Sequence, residues 1–173
     1  MFSLRNLVFL AVAVTGSVIP RDVGQVKKDL ETLNSDTQAV TNAVNGFDGS
    51  MQSSTPIIVA NNRLNIDIGT TTGHVNSVGK VSEADADEII RYITGKFQPS
   101  VDGALSALKA KKDKFQAIGL VGIVRASLEK LKGNAEGLSG ALITNAPASR
   151  VEMAKAIKAH IDAGIDDAIK QFS

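Results

Sequence analysis

The sequence predicts an all-α fold, an antiparallel bundle of five or six amphipathic helices without disulfides. Three observations point to it. Apolar residues recur at steps of three and four through most of the chain, the spacing that gives a helix one apolar face. No segment offers a credible strand together with a partner for it. The chain has no cysteine, so its core alone must hold it, which the length of 173 residues permits.

Met1 to about Ser17 has Arg5 near its start, an apolar run from Leu7 to Val14 and small residues at Thr15, Gly16 and Ser17. That is the layout of a secretory signal peptide, with an apolar run too short to span a bilayer. Residues 18–173 are then expected to form one helical domain. The first helix carries Val23, Val26, Leu30, Leu33, Thr37, Val40, Val44 and Phe47 on one side and ends at Gly46 and Gly49. A polar loop leads to Pro56, expected at the first position of the second helix. Ile57, Asn61, Leu64, Ile68, Thr72 and Val75 continue that helix despite Gly69 and Gly73, with a short strand at 57–59 as the alternative.

Ser82 with Asp85 three residues on is an acidic variant of the capping box. It opens a helix whose apolar face is Ala86, Ile89, Ile90, Ile93 and Phe97. Pro99 should stop that helix near Gly95 to Gln98. Another runs from about Ser100 through Val101, Ala104, Leu105, Leu108 and Phe115, its end crowded with Lys109, Lys111, Lys112 and Lys114. Ile118 to about Thr144 forms the next, with Gly119, Gly122, Gly133, Gly137 and Gly140 along it. Pro147 opens the last, striped by Val151, Ala154, Ile157, Ile161, Ile165, Ala168 and Phe172.

The runs SEADADEII and PSVDGALSALKAKKDKF, with AVNGF before them and NAPASRVEMAKAIKAHIDAGIDDAI after them, resemble the fungal hydrophobic surface-binding protein A family, which includes secreted and cell-wall galactomannoproteins. The resemblance covers nearly all of the chain beyond the signal peptide. These are helix-packing patterns, so they identify a fold more securely than an activity. The resemblance implies binding of apolar surfaces or fatty-acid chains, and a secreted or wall-associated protein with cell-wall polysaccharide as a further partner.

Nineteen basic residues face eighteen acidic ones, and removing Arg5 with the signal peptide leaves eighteen of each. A neutral chain argues against nucleic-acid binding, which depends on neutralising phosphates. Absence of cysteine excludes zinc–thiolate sites and thiol nucleophiles. No Asn-x-Ser/Thr sequon occurs, so any sugar would be O-linked, with Ser53 to Thr55 and Thr70 to Thr72 as acceptors. The C-terminus carries no apolar tail, which argues against a GPI anchor.

His74 and His160 lie far apart with no spaced acidic ligands in sequence, so no metal site or cofactor is implied. Asp85, Asp87 and Glu88 read as residues complementing a helix dipole rather than as a catalytic cluster. GLSGA at 137–141 lacks the spacing of a nucleophile elbow. Enzymatic activity has no support in these motifs.

Beyond the signal peptide there are four Phe, one Tyr and no Trp, so a wide bundle must be filled by aliphatic residues and glycine. Either the helices approach closely over the small residues, or the middle is underfilled and accepts an apolar guest. The family resemblance favours the guest, a fatty acid or similar amphiphile. The residues then expected around it are Leu33, Thr37, Asn61, Leu64, Ile68, Ile89, Ile93, Leu105, Leu128 and Ile161. Adsorption to hydrophobic surfaces through the same stripes, and a structural cell-wall role, are the competing readings. Thr37, Asn61 and Thr72 interrupt apolar stripes, and each needs a hydrogen-bond partner from its own helix, water or a ligand. The lysines at 109–114 read either as a solvated helix end or as a lure for a fatty-acid carboxylate.

Overall fold

A computed structural model describes residues 23–173, so the signal peptide read at 1–17 lies outside the described residues. The helices are α1 (Val23–Asn45), α2 (Met51–Val78), α3 (Glu83–Tyr92), α4 (Gln98–Ala110), α5 (Lys112–Ala117), α6 (Val121–Asn145) and α7 (Val151–Gln171). Among the described residues there is no strand, and residues 57–59 are helical. The all-α expectation holds.

α3 and α4 form one rod rather than two helices broken at a proline. A π-helical turn, Ile93–Phe97, joins them, and the Gln98 amide donates to the Ile93 carbonyl five residues back. Pro99 has no N–H to offer, and its ring would collide with the Gly95 carbonyl in a regular α-turn. Widening that turn by one residue relieves the clash without ending the helix.

α2 begins at Met51, so Pro56 sits inside it rather than at its first position. The start is set by Ser50, whose hydroxyl accepts from the Ser53 amide at 3.2 Å. The Asp48 carboxylate accepts from the Ser50 amide at 2.8 Å and from the Ser53 hydroxyl at 2.5 Å. These bonds, Ser53 first, hold the Asp48 pKa down at about 2. Ser82 caps α3 as expected: its oxygen accepts from the Asp85 amide at 3.2 Å. The helix expected to run on from Ser100 stops at Ala110, and α5 turns away from it at Lys111. α6 starts at Val121 rather than Ile118, because Gly119 takes a left-handed φ of 73°. Pro147 precedes a 3-10 turn, Ala148–Arg150, that leads into α7.

Side-chain bonds fix how the helices neighbour one another. Asp29 meets His74 and Asp36 meets Arg63, so α1 and α2 are antiparallel. Asn65 to Asn134 and Asn145 to Val75 make α2 and α6 parallel neighbours. Lys132 to Asp166 joins α6 to α7. His160 to Asp102 and Lys109 to Asp167 join α7 to the rod in parallel, and Asn34 to Ser100 brings the rod back beside α1. The five long helices therefore close a ring in the order α1, α2, α6, α7, rod, with α5 as the sixth. Along the chain the long helices still alternate up and down.

One end of the ring is plugged. α5 carries Phe115 inward to stack on Phe47, with ring centroids 4.4 Å apart, and to meet the edge of Phe172 at 6.1 Å. Lys111 Nζ ties this end together by donating to the Asn45 and Phe47 carbonyls at 3.0 and 2.9 Å. At the opposite end Arg150 grips Asp87 through two N–H groups, at 2.5 and 3.1 Å. The Val81 amide there donates to the Asn145 carbonyl.

Candidate functional site: an aliphatic cavity inside the ring

The stripes of all five long helices point into the ring, yet they do not fill it. A cavity of about 420 Å³ runs through the middle. Well-packed interiors leave few voids larger than a water molecule, so this volume is a ligand-sized space. Its wall is aliphatic: Leu64 and Ile68 from α2, Ile89 and Ile93 from the rod, Leu128 from α6 and Ile161 from α7 are representative.

The glycines show whether the helices approach closely over small residues. A Cβ built on Gly69, Gly73, Gly122, Gly133, Gly137 or Gly140 would meet nothing within 4 Å. These glycines do not serve close helix contacts. Gly164, whose added Cβ would lie 3.2 Å from Leu105 Cδ1, is the exception within the helices. Close approach over glycine is thus not what fills the ring, and the 420 Å³ cavity shows its middle underfilled.

Of the residues expected around a guest, Thr37, Asn61, Leu64, Ile68, Ile89, Ile93, Leu105, Leu128 and Ile161 all line the cavity. Leu33 does not. It is fully buried in the cluster formed by Val26, Leu30 and Leu64 and makes wall rather than lining. Thr37 and Thr72 turn their hydroxyls back to the Leu33 and Ile68 carbonyls, both at 2.8 Å. They need no ligand to satisfy them. The lysines at 109–114 do not reach the cavity. Lys109 pairs with Asp167 and Lys111 caps the end of α1.

Met51, Ile58 and Ile123 line the cavity while remaining about half exposed. They mark a mouth where α2 and α6 run side by side near the plugged end. Continuing the register set by Asn65 and Asn134 puts Ile58 level with Ser127, another lining residue. Ile58 stands off the apolar stripe of α2, and an apolar residue in that position is the sequence signal for such a rim. Lys158 and Asp162 also line the cavity. Each follows an interior isoleucine, Ile157 or Ile161, by one residue and so stands about 100° round the helix, at the edge of the stripe.

The other polar clusters of the sequence are spread among partners. His74 Nδ1 lies 2.6 Å from Asp29 and His160 Nε2 lies 3.1 Å from Asp102, so each histidine has an acidic neighbour in space that its sequence surroundings did not show. Asp85 and Glu88 both take Lys27, while Asp87 takes Arg150. The Ser82 hydroxyl, then Lys27, lowers the Asp85 pKa, and Arg150 lowers that of Asp87.

The family described as hydrophobic surface binding protein A matches residues 23–144. The chain belongs to that family. Cell wall mannoprotein 1 of Aspergillus flavus is 28% identical over 143 residues, which are 81% of this chain and 50% of that protein. The chain thus spans half the length of that relative. Among solved structures, AFMP4P in complex with palmitic acid superposes with a TM-score of 0.85 at 27% identity, covering 88% of this chain and all of that one. Ligand binding domain 1 of the Penicillium marneffei MP1 protein, complexed with arachidonic acids, gives 0.82 at 18% identity over 88% of this chain and 97% of that domain. Domain 2 of the same protein, with multiple arachidonic acids, gives 0.83 at 17% over 90% and 98%. The two MP1 domains show the same fold.

Proposed function

We propose that this protein holds the acyl chain of a fatty acid or similar single-chain amphiphile inside its helical ring. The observation that carries the reading is the 420 Å³ hollow, open beside Met51, Ile58 and Ile123 and lined mainly by aliphatic side chains that offer dispersion and exclusion of water. Each methylene buried there contributes about 0.8 kcal/mol. The palmitic acid in the AFMP4P complex supports the assignment. We infer a binding protein rather than an enzyme, working outside the cell or at the cell wall as the mannoprotein relative suggests.

A second reading is adsorption to hydrophobic solids. The exposed Val59, Ile66 and Met153, which lie outside the cavity lining, favour it together with the family's description. The test is native mass spectrometry of the delipidated protein with palmitate at micromolar concentration. One palmitate per chain is the expected result. Refusal of every long-chain fatty acid, with strong retention on a hydrophobic resin, would leave adsorption as the function.

A further inference from the structure

Lys158 and Asp162 are the charged side chains of the cavity lining among the described residues. They stand one turn apart on α7 and form an ion pair, with side chains 29% and 22% exposed. Other pairs of this spacing, such as Arg125 with Glu129, lie outside the lining and serve only to support their own helix. The Lys158–Asp162 pair differs because one side of it faces an apolar hollow.

The other polar groups of the lining divide in two. The Thr37, Ser54 and Ser139 hydroxyls and the Asn145 amide donate to backbone carbonyls of their own helices. Asn62 and Ser127 sit at the α2–α6 mouth, and Asn61 stands next to it on the inward stripe of α2. The ion pair is the place in the lining where charged donors and acceptors stand together. An ammonium offers three donors and a carboxylate about four acceptor sites, so one mutual bond leaves both able to bind a guest.

The surrounding charge decides what guest that is. α6 sets Lys132 and Glu136 against α7 here, and Lys132 bonds to Asp166 at 2.6 Å while feeling the field of Asp162. His160 and Asp102 face each other across the seam between α7 and the rod. Lys132 and Lys158 against Glu136, Asp162 and Asp166 leave the α6–α7 seam at a net −1. A carboxylate placed beside the pair would be repelled by Asp162 about as strongly as it is attracted to Lys158. A hydroxyl meets no such opposition: its O–H donates to Asp162 and its oxygen accepts from Lys158.

We propose that Lys158 and Asp162 form a head-group site for an uncharged, hydroxyl-bearing amphiphile, such as a monoacylglycerol or fatty alcohol, and that they select it over a carboxylate of equal chain length. The site rests on the acyl-chain reading above and adds the chemistry of the head.

The experiment compares 1-monopalmitoylglycerol with palmitate as displacers of diphenylhexatriene from the delipidated protein, at about pH 8, where a free carboxylic acid is ionised. The glyceride is expected to displace the probe at about tenfold lower concentration. Asp162→Asn should tighten palmitate about tenfold and erase the preference, because Lys158 then meets the carboxylate unopposed. Lys158→Met should weaken both ligands and palmitate more. Thermal melting confirms that each variant folds. Equal affinities in the native chain, or a preference unmoved by Asp162→Asn, would put the head at the mouth beside Asn61, Asn62 and Ser127 and overturn the proposal. Failure of both ligands to displace the probe would overturn the acyl-chain reading itself.

Discussion

The plugged end of the ring and its waist are built from the same five helices and differ in what fills them. At the plug, Phe47, Phe115 and Phe172 are each almost completely buried, and α5 carries one of them in as a separate piece. At the waist the helices bring aliphatic side chains too short to meet across the ring, and the hollow remains. At this end aromatic volume and an extra element close the ring. The fourth described phenylalanine, Phe97, is spent on the cavity wall.

Paired truncations of the delipidated protein separate the plug from the waist most sharply. Phe115→Ala should cost about 3–5 kcal/mol, since it removes a packed aromatic and leaves a new void. Ile161→Ala, on the hollow side, should cost about 1–2 kcal/mol because part of its contact shell is already missing. Equal costs in urea denaturation would show that the waist is packed as tightly as the plug.

Ligand binding supplies the next contrast. Palmitate at about a hundred times its dissociation constant should raise unfolding free energy by about 2.7 kcal/mol. Ala135→Phe, which fills the hollow from α6, should abolish that gain while leaving the unliganded melting temperature nearly unchanged.

A third contrast separates the waist from the wall beside it. Asp36 is buried in the α1–α2 seam with Arg63 Nε 3.0 Å from one carboxylate oxygen. The other oxygen lacks a partner and only a proton there could bond Asp67. Burial first, then Asp67, raises the Asp36 pKa to about 6 against the pull of Arg63. A carboxyl with a raised folded pKa favours the folded state below its ordinary value, near 4, and that advantage is lost as pH rises through about 6. Stability should therefore increase by about 1.3 kcal/mol between pH 7 and pH 5. Asp36→Asn should flatten that slope, read as melting temperature against pH.

The smallest effect tests the glycines. Gly137→Ala should stabilise the protein by about 1 kcal/mol, since its helix gains propensity and the new methyl meets nothing. Gly164→Ala should gain less, because Leu105 must give way.

Much of this was readable in the sequence, because an apolar stripe is a local pattern that survives packing. The stripe on α7 placed Ile161 inside, and the Ser82–Asp85 spacing placed a helix start. The continuity through Pro99 was not readable. A proline four residues after a glycine, as in Gly95-Lys96-Phe97-Gln98-Pro99, looks the same whether the helix stops or widens. What keeps the rod continuous is tertiary: Ser100 bonds to Asn34, 66 residues away, while Phe97 and Val101 both face the cavity. Leu33 and Thr37 sit one turn apart on one stripe, yet only Thr37 reaches the hollow, because inward-facing positions on a curved wall divide between seam and lumen. Lys158 and Asp162 read as polar face for the same reason, since a stripe has no marked edge in sequence.

The odd number of helices in the ring carries a further consequence. Five arrows on a closed circuit cannot all oppose their neighbours, so the arrangement is frustrated. Here α1, α4 and α7 end at the plug while α2 and α6 begin there. Three partial negative ends against two positive ones leave one helix dipole uncompensated, about half an elementary charge along the axis. Lys109, Lys111, Lys112 and Lys114 gather where that imbalance is negative. The tube thus has a polarity that its aliphatic lining conceals, and a guest with a dipole of its own enters a vessel whose two ends differ in potential.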